Sequence, residues 1–410
     1  MLRENNLKFI WISSFGQLVD IRIRELSKYL IRSNINPVLV TYRLSKKEKL
    51  NQNDSQSELS TLHLKNPLFK NFKNKIFLYL RELVLKLAFI LKGFPFLYSD
   101  VSDYIKKNTD LKFIYATGPS FFTHILGYLL KRKFQIPLIV EYTDPWYKNP
   151  YRIGKMRWLE NKIDYFIERH ILKSTDIIIT NTMYLISIMK TNFPFIIDKP
   201  IYSIEDGLKL QEISQDHVSE RNKLIITYAG RIYGKRNITP LFKIIYQLKK
   251  EAFFEDRPIL IKIYGDYPKQ LFIRILKRLK IEDFFYLGDF LPRSDVVEEI
   301  KNSDLALHIG EYIDYPTTAF KVWEYLSCRK KILFLNMEHS SRSDFIRNNN
   351  LGFIIPIDNL PKAKNVFKEL ISGIFDNKID LTFEESKLDQ FTWESRSKKF
   401  MSSIISKFRE

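Results

Sequence analysis

The chain has 410 residues, 45% of them hydrophobic and 14% aromatic, and carries a formal net charge of +19. This length exceeds one ordinary hydrophobic core and predicts two domains, while the apolar content excludes an intrinsically disordered chain. The single cysteine, Cys328, excludes internal disulfide bonds and fits a reducing compartment.

The positive charge lies mostly in the first half of the chain. Residues 1–200 hold 32 Lys and Arg against 17 Asp and Glu, whereas residues 201–410 hold 34 against 30. A basic half predicts an anionic partner, and phospholipid, lipid-linked diphosphate and nucleic acid all meet that description. The N-terminus has only a short apolar run at residues 9–12, and no uncharged run approaches the roughly 20 residues that span a bilayer. We therefore expect no secretory signal and a cytoplasmic protein.

The first half alternates between strand and helix patterns. Residues 7–13 predict a strand that runs into the loop SSFGQ, residues 21–33 a helix, and residues 37–41 a second strand. Strand, loop, helix and strand in succession predict a parallel sheet. Gly16 is not followed by G-x-G-x-x-G, so the sequence has no dinucleotide fingerprint there. The alternation continues with strands at 113–117, 136–141 and 175–181 and an amphipathic helix at 158–172.

Residues 66–96 show a helical stripe of apolar residues flanked by lysines, including Lys70, Lys73, Lys75 and Lys86. One interpretation is a core helix of the first domain. The other is a basic, aromatic-bearing surface helix that rests on an anionic membrane leaflet. The sequence leaves both interpretations open.

Two polar residues stand out within this first half. Asp144 follows the predicted strand 136–141, and open α/β sheets bind ligands at the carboxyl ends of their strands. The alternative is a turn-forming aspartate ahead of Pro145. His124 lies on an apolar predicted helix, where a histidine is either a hydrogen-bonded core residue or a functional one.

In the second half, residues 224–229 predict a buried strand that runs into the sequence GRIYGKRNIT. Arg231 follows Gly230 directly, and Lys235 and Arg236 come four and five residues after that arginine. Arginine and lysine both bind phosphate well, so this loop is either an anion site or a solvated basic surface.

Residues 315–335 contain a predicted helix that starts at Ala319, after Thr318, whose hydroxyl can cap the first turn. Lys321 and Glu324 are three residues apart and therefore share one face of this helix. A cation and a carboxylate on one exposed face suit a ligand with phosphate and sugar hydroxyls. The alternative is an ordinary surface ion pair.

This stretch resembles the nucleotide-sugar motif of GT-B glycosyltransferases of the family-four type, also described as glycosyl transferases group 1. In that motif Pro-x-Lys-x-x-Glu-Tyr-Leu precedes a Gly-Lys-Pro turn and a strand. Lys321, Glu324, Tyr325 and Leu326 match the motif, whereas its proline is displaced to Pro316.

Three positions depart from the family pattern. Arg329 and Lys331 replace the glycine and proline of the turn, and an arginine with positive φ at that position costs about 1 kcal/mol more than glycine. The second glutamate of the family falls on Pro316, so that carboxylate is missing or is replaced by Glu311 or Asp314.

The resemblance is strongest over residues 224–335 and the terminal helix, and weaker over 113–150. It implies an α/β GT-B fold, in which two Rossmann-like, doubly wound domains face a cleft. The expected parts are an acceptor-binding domain at residues 1–203, a nucleotide-sugar-binding domain at 204–388, and a terminal helix at 389–410 that crosses back to the first domain.

The resemblance also implies roles for individual residues. Arg231 would bind the donor diphosphate together with Lys235 or Arg236, since relatives favour the spacing of Arg236 but the residue type of Lys235. Fixed cations are needed because departure of a nucleoside diphosphate builds negative charge on its β-phosphate. Glu324 would accept hydrogen bonds from ribose or donor-sugar hydroxyls, and Lys321 would assist at phosphate or sugar. The implied donor-binding residues are Gly230, Arg231, Gly265, Lys321 and Glu324, and the implied catalytic residues are Arg231, Lys235, Arg236, Glu324, Asp144 and His124.

The activity implied by the resemblance is retaining transfer of a sugar from a nucleotide-diphosphate sugar to a lipid-linked glycan, in cell-surface polysaccharide synthesis. We expect no cofactor and no metal requirement, and an anionic membrane surface as a further partner. Two other classes stay open. One is a nucleic-acid-binding protein or a DNA-directed sugar transferase, prompted by the net charge, although no recognition motif supports nucleic acid as a partner. The other is a GT-B scaffold without catalysis, prompted by Pro316, Arg329 and Lys331.

Overall fold

The computed structural model describes residues 7–15, 20–43, 59–64, 84, 86–87, 98–118, 121–150, 157–211, 223–232, 236–311, 314, 320–383 and 385–408. The chain divides into two compact units. Unit 1 comprises residues 1–207 and 393–410, and unit 2 comprises residues 208–392. The terminal segment therefore belongs to the same unit as the N-terminal half of the chain.

Unit 1 contains a seven-stranded sheet in the order β3-β2-β1-β4-β5-β6-β7, with every neighbouring pair parallel. Its strands are β1 Leu7–Phe15, β2 Ile35–Arg43, β3 Thr61–His63, β4 Leu111–Thr117, β5 Leu138–Tyr142, β6 Ile177–Thr180 and β7 Ile201–Ser203. Its helices in the N-terminal half are α1 Ile21–Arg32, α2 Ser99–Lys107, α3 Phe122–Phe134, α4 Arg157–Ser174 and α5 Met183–Asn192.

Both faces of this sheet are covered, as a parallel sheet requires. The side chains of one face pack with α3, for example Ile114 and Leu126. The other face packs with α1 and with the terminal helix Trp393–Ser403, whose Phe400 ring lies 5.4 Å from the ring of Tyr115. The terminal helix is therefore part of the core of unit 1.

Unit 2 repeats this architecture with six parallel strands in the order β10-β9-β8-β11-β12-β13. Its strands are β8 Leu224–Ala229, β9 Ile259–Tyr264, β10 Phe285–Leu287, β11 Leu305–Ile309, β12 Ile332–Asn336 and β13 Gly352–Pro356. Its helices are α6 Thr239–Lys250, α7 Lys269–Leu279, α8 Arg293–Lys301, α9 Phe320–Ser327, α10 Ser341–Asn348, α11 Leu360–Phe375 and α12 Glu385–Asp389.

The strand order of unit 2 places a topological switch between β8 and β11, because the chain builds outward from β8 in one direction and then in the other. Doubly wound sheets bind ligands outside the carboxyl ends of their strands at such a switch. The predicted α/β fold with two doubly wound sheets is confirmed, and the edge of the sheet near β8 is where a ligand site is expected.

Several predictions concern residues outside those that the structure describes. These are the loop at Gly16, most of the segment 66–96, the cation Lys235 and the helix cap Thr318 with Pro316. Within 66–96 the structure describes Lys86, whose Nζ lies 2.8 Å from Oδ1 of Asp164, a wholly buried carboxylate. Lys86 is therefore committed to an internal ion pair. Among the helices that the structure describes, none combines the length and the apolar character needed to cross a bilayer.

Candidate active site

Two glycines bring the carboxyl ends of β8 and β9 close together. Gly230 follows β8 with φ +154° and Gly265 follows β9 with φ +120°, values that residues with a β-carbon rarely adopt. The amide of Gly230 donates to the carbonyl of Tyr264 at 2.8 Å, and the amide of Asp266 donates to the carbonyl of Gly230 at 3.2 Å. A β-carbon on Gly265 would lie 2.2 Å from the carbonyl oxygen of Gly230. Glycine is required here because the two backbones touch.

A cavity of about 200 Å³ opens at this edge of the unit 2 sheet. Its lining is mixed: Lys321, Glu324 and Arg293 are charged, and Gly230 contributes backbone. The apolar and aromatic part of the lining comes from Phe290, Leu291, Val296 and Tyr264. Phe290 is 74% exposed, which leaves most of its ring free for a ligand at the rim.

Lys321, on α9, is one of the two cations that line the cavity. A β-carbon on Gly230 would lie 2.0 Å from Nζ of Lys321, so this glycine also makes room for the ammonium group. The ammonium lies 5.3 Å from the ring centre of Tyr228. Burial lowers the pKa of Lys321 to about 8, the carboxylate of Glu324 offsets part of that shift, and the cation of Arg236 adds to it.

Glu324 lies one helical turn after Lys321, and its carboxylate is the negative group of the cavity. Its side chain is 13% exposed, and its Oε1 lies 3.6 Å from Nε of Arg293, which is 64% exposed. The three-residue spacing on α9 therefore does place a cation and a carboxylate at one cavity, as the sequence predicts.

Arg231 and Arg236 have different surroundings. The side chain of Arg231 is 71% exposed, with its Nε 3.7 Å from Asp266, so it extends into solvent next to the cavity. Arg236 is held on both sides: Nη1 donates to the carbonyl of Arg231 at 3.0 Å, and Nε lies 3.6 Å from the buried carboxylate of Glu311. Arg236 is thus fixed directly behind Arg231, while Lys235 lies outside the described residues.

The two candidates for the missing family carboxylate both have local partners. Glu311 pairs with Arg236, and Oδ1 of Asp314 accepts from the amide and the hydroxyl of Ser341 at 3.0 and 2.8 Å. Arg329 has φ +54°, which is the strained conformation expected where the family has glycine. Its Nη1 donates to the carbonyl of Gln211 at 2.8 Å, a contact that glycine could not make.

His124 and Asp144 lie in unit 1. His124 is wholly buried, its Nε2 is 2.9 Å from the carbonyl oxygen of Glu141, and burial lowers its pKa to about 4. Its ring is surrounded by the rings of Phe121, Tyr142 and Trp146. This environment favours the structural alternative for His124. Asp144 is half-buried in the turn that follows β5, at the carboxyl edge of the unit 1 sheet.

The part of the cavity lining that follows β10 was not predicted from the sequence. Phe290, Leu291 and Arg293 follow β10 in the segment GDFLPR, which contains no recognisable motif. The sequence offered only one indication, an aromatic residue between a short strand and a proline. That pattern alone does not distinguish a ligand contact from an ordinary loop.

Comparisons with known proteins support the α/β fold described above. Residues 210–378, most of unit 2, match the family model described as Glycosyl transferases group 1. A search of curated protein sequences gives no match. Sucrose-phosphate synthase from Thermosynechococcus elongatus aligns over 98% of this chain and 99% of its own, with 12% identity and a TM-score of 0.68.

Two further solved structures share the fold. The lipopolysaccharide outer core galactosyltransferase WaaB aligns over 98% of this chain and 100% of its own, with 14% identity and a TM-score of 0.65. Anabaena Alr3699/HepE in complex with UDP aligns over 98% and 100%, with 14% identity and a TM-score of 0.63. The chain has the fold of GT-B glycosyltransferases. Within this fold, the match to the group 1 glycosyltransferase model is confined to residues 210–378 of unit 2.

Proposed function

We propose that this protein is a retaining glycosyltransferase that moves a sugar from a nucleotide-diphosphate sugar to a lipid-linked glycan in cell-surface polysaccharide synthesis. The observation that carries the donor assignment is the mixed lining of the cavity of unit 2. Phe290 and Leu291 suit a nucleobase, and Lys321 and Glu324 suit phosphate and ribose hydroxyls. Two of the similar structures, Anabaena Alr3699/HepE in complex with UDP and the lipopolysaccharide outer core galactosyltransferase WaaB, support a nucleotide donor and a cell-surface glycan acceptor.

In this proposal the donor lies along the carboxyl edge of the unit 2 sheet. Glu324 accepts hydrogen bonds from ribose or donor-sugar hydroxyls, and Lys321 and Arg231 bind the diphosphate, with Arg236 behind them. The acceptor oxygen forms a bond to the anomeric carbon while the bond from that carbon to the phosphate oxygen breaks. The acceptor proton passes to the departing phosphate, and attack from the face that the leaving group occupies retains configuration. The fixed cations stabilise the charge that develops on the β-phosphate.

The first test is a thermal-stability panel of nucleoside diphosphates. A nucleotide at a hundred times its dissociation constant stabilises the folded protein by about 2.7 kcal/mol, which gives a readable rise in melting temperature. The base giving the largest rise identifies the donor class. Sugar transfer is then followed with the matching nucleotide sugars, and nuclear magnetic resonance of the product reports the anomeric configuration. No stabilisation by any nucleotide and no hydrolysis of any nucleotide sugar would instead support a non-catalytic scaffold.

Nucleotide affinity is expected to fall as the pH rises from 7 to 9. The pKa of Lys321 is about 8 in the free protein, and a bound diphosphate favours the charged ammonium and so raises that pKa. Binding therefore takes up a proton above pH 8, and affinity should weaken by up to about tenfold per pH unit. Calorimetric titration at several pH values measures this dependence. Lys321→Arg, whose charge is constant in this range, should give a nearly flat profile, and an unchanged slope in Lys321→Gln would assign the effect to another group.

Activity is expected to survive a metal chelator. Lys321, Arg231 and Arg236 supply positive charge in or beside the cavity, which is the role that a divalent cation has in metal-dependent transferases. Initial rates with and without EDTA, and after addition of magnesium or manganese, measure this. Loss of turnover in EDTA with recovery on adding metal would show that the cations do not suffice.

A further inference from the structure

One face of α4 in unit 1 carries exposed aromatic and basic side chains, without an acid, along its whole length. The residues of this face recur three or four positions apart, which places them on one side of the helix. The face consists of Trp158, Lys162, Tyr165, Phe166, Arg169 and Lys173, which we call the α4 stripe. Trp158 is 63% exposed and Phe166 48% exposed. The acids of the helix do not interrupt the stripe, because Asp164 and Glu168 are buried and Glu160 lies on a different face.

The turn Pro194–Ile196 extends this surface. It packs against α4 through the rings of Phe193 and Tyr165, whose centres are 5.2 Å apart. Arg169 and Lys173 lie over the ring of Phe195, at 5.9 and 5.8 Å. Ile197, directly after the turn, is 60% exposed. The result is a continuous surface of aromatic and aliphatic groups interleaved with cations.

We propose that the α4 stripe, with Phe195 and Ile197, docks reversibly on an anionic lipid leaflet. Tryptophan and long basic side chains favour the headgroup level, where rings enter the apolar boundary and cations meet lipid phosphate. The charge of the stripe is complementary to such a leaflet. This surface belongs to unit 1 and the donor cavity belongs to unit 2, so its role does not depend on which nucleotide or acceptor the enzyme uses.

The geometry favours lipid over nucleic acid. Single-stranded nucleic acid binds by stacking bases on ring faces, and here cations already lie over two of the rings. Lys162 lies 4.9 Å from the ring centre of Trp158, and Arg169 and Lys173 cover Phe195. Exposed Ile197 has no role in base stacking, whereas it can insert among acyl chains.

The tryptophans of the protein give a specific readout of this docking. All five lie in the described residues, and Trp11, Trp146, Trp323 and Trp393 are 3% exposed or less. Insertion should therefore shift the emission of Trp158 alone to shorter wavelength when vesicles of phosphatidylcholine with 30% phosphatidylglycerol are added, because the indole moves from water to the membrane interface. Trp158→Phe should abolish the shift while the protein still sediments with the vesicles.

Sedimentation with the same vesicles tests the cations. Each basic residue near an anionic leaflet strengthens partitioning by about fivefold, so the triple variant Lys162→Gln, Arg169→Gln, Lys173→Gln should bind roughly a hundredfold more weakly. The matched control is Lys243→Gln, Lys277→Gln, Arg278→Gln, which removes the same charge from exposed positions of unit 2 and should bind as the wild type does. Ile197→Ala should bind more weakly than Leu271→Ala, its exposed counterpart in unit 2.

Three results would overturn the proposal: equal binding to neutral and anionic vesicles, no vesicle binding, or equal losses in the two triple variants. Binding to a single-stranded oligonucleotide without binding to vesicles would assign the stripe to nucleic acid instead. Circular dichroism of each variant confirms that the fold is retained, so a loss of binding can be attributed to the surface. A donor-hydrolysis assay without vesicles, unchanged in the triple variant, separates this proposal from failure of the proposed function.

Discussion

Glu324→Gln is expected to lower kcat/KM for sugar transfer by about a hundredfold to a thousandfold, without unfolding the protein. The substitution keeps the size of the side chain and removes the negative charge that lies one helical turn from Lys321 at the cavity. Hydrogen bonds to an ionised carboxylate are roughly twice as strong as neutral ones, and the difference matters most where a side chain is only 13% exposed. Initial rates over a range of donor concentrations give both kcat and KM.

The matched control is Glu298→Gln, because Glu298 is a carboxylate of unit 2 in a surface pair with Lys301 and is 62% exposed. Its removal should leave kcat/KM unchanged. If Glu324→Gln also turned over within a few-fold of the wild type, Glu324 would be an ordinary partner of Arg293 and would be removed from the donor site.

Arg231→Ala should cause a loss of similar size, for a different reason. Its guanidinium is 71% exposed and has a long contact of 3.7 Å with Asp266, so little stability depends on it. A cation with so little structural role is free to bind the departing diphosphate. Arg274→Ala, an exposed arginine on α7, is the control. Equal rates in the two variants would leave the diphosphate to Arg236 and Lys321.

The fold was predictable because its signals are local. Buried parallel strands are continuous apolar runs, and the runs at 224–229 and 305–309 coincide with β8 and β11. The helix spacing of Lys321 and Glu324 also required only local geometry. The contact between Lys321 and Gly230 could not be predicted in this way, since it depends on how α9 packs on the carboxyl edge of the sheet.

Departures from the family motif had consequences that only tertiary structure reveals. The positive φ of Arg329 follows from its position after a helix, and the structure has it. Whether Glu311 or Asp314 stands in for the missing carboxylate depends on their partners, Arg236 and Ser341, which are distant in the sequence. Both carboxylates hold other groups, whereas Glu324 lines the cavity.

A buried ion cluster in unit 1 was missed for the same reason. Glu141 interrupts an otherwise apolar strand, and that was the one signal in the sequence. Its partners come from elsewhere: Nη2 of Arg22 on α1 lies 2.5 Å from Oε1, and the hydroxyl of Tyr115 on β4 donates to Oε2. Burial raises the pKa of Glu141, and the guanidinium of Arg22 offsets part of that rise. The same guanidinium donates to the carbonyls of Ile204 and Glu205.

Arg22→Met is expected to destabilise unit 1 by about 3–5 kcal/mol, because it leaves the wholly buried carboxylate of Glu141 without its cation. The carbonyls of Ile204 and Glu205 also lose their donor, which adds to the cost. Urea unfolding followed by the fluorescence of the buried tryptophans of unit 1 measures the change.

Two controls distinguish the buried charge from general damage to α1. Arg24→Met removes an exposed arginine of the same helix and should change stability by about 0.5 kcal/mol or less. The double variant Arg22→Met, Glu141→Gln removes the uncompensated charge and should recover much of the loss, because replacing both members of a buried pair is far less costly than removing one.

The loss in Arg22→Met should also shrink at low pH, since protonation neutralises Glu141 once its pKa has risen further without the cation. A double variant as unstable as Arg22→Met, with no pH dependence, would show that the packing of the arginine side chain, and not its charge, stabilises this end of the sheet.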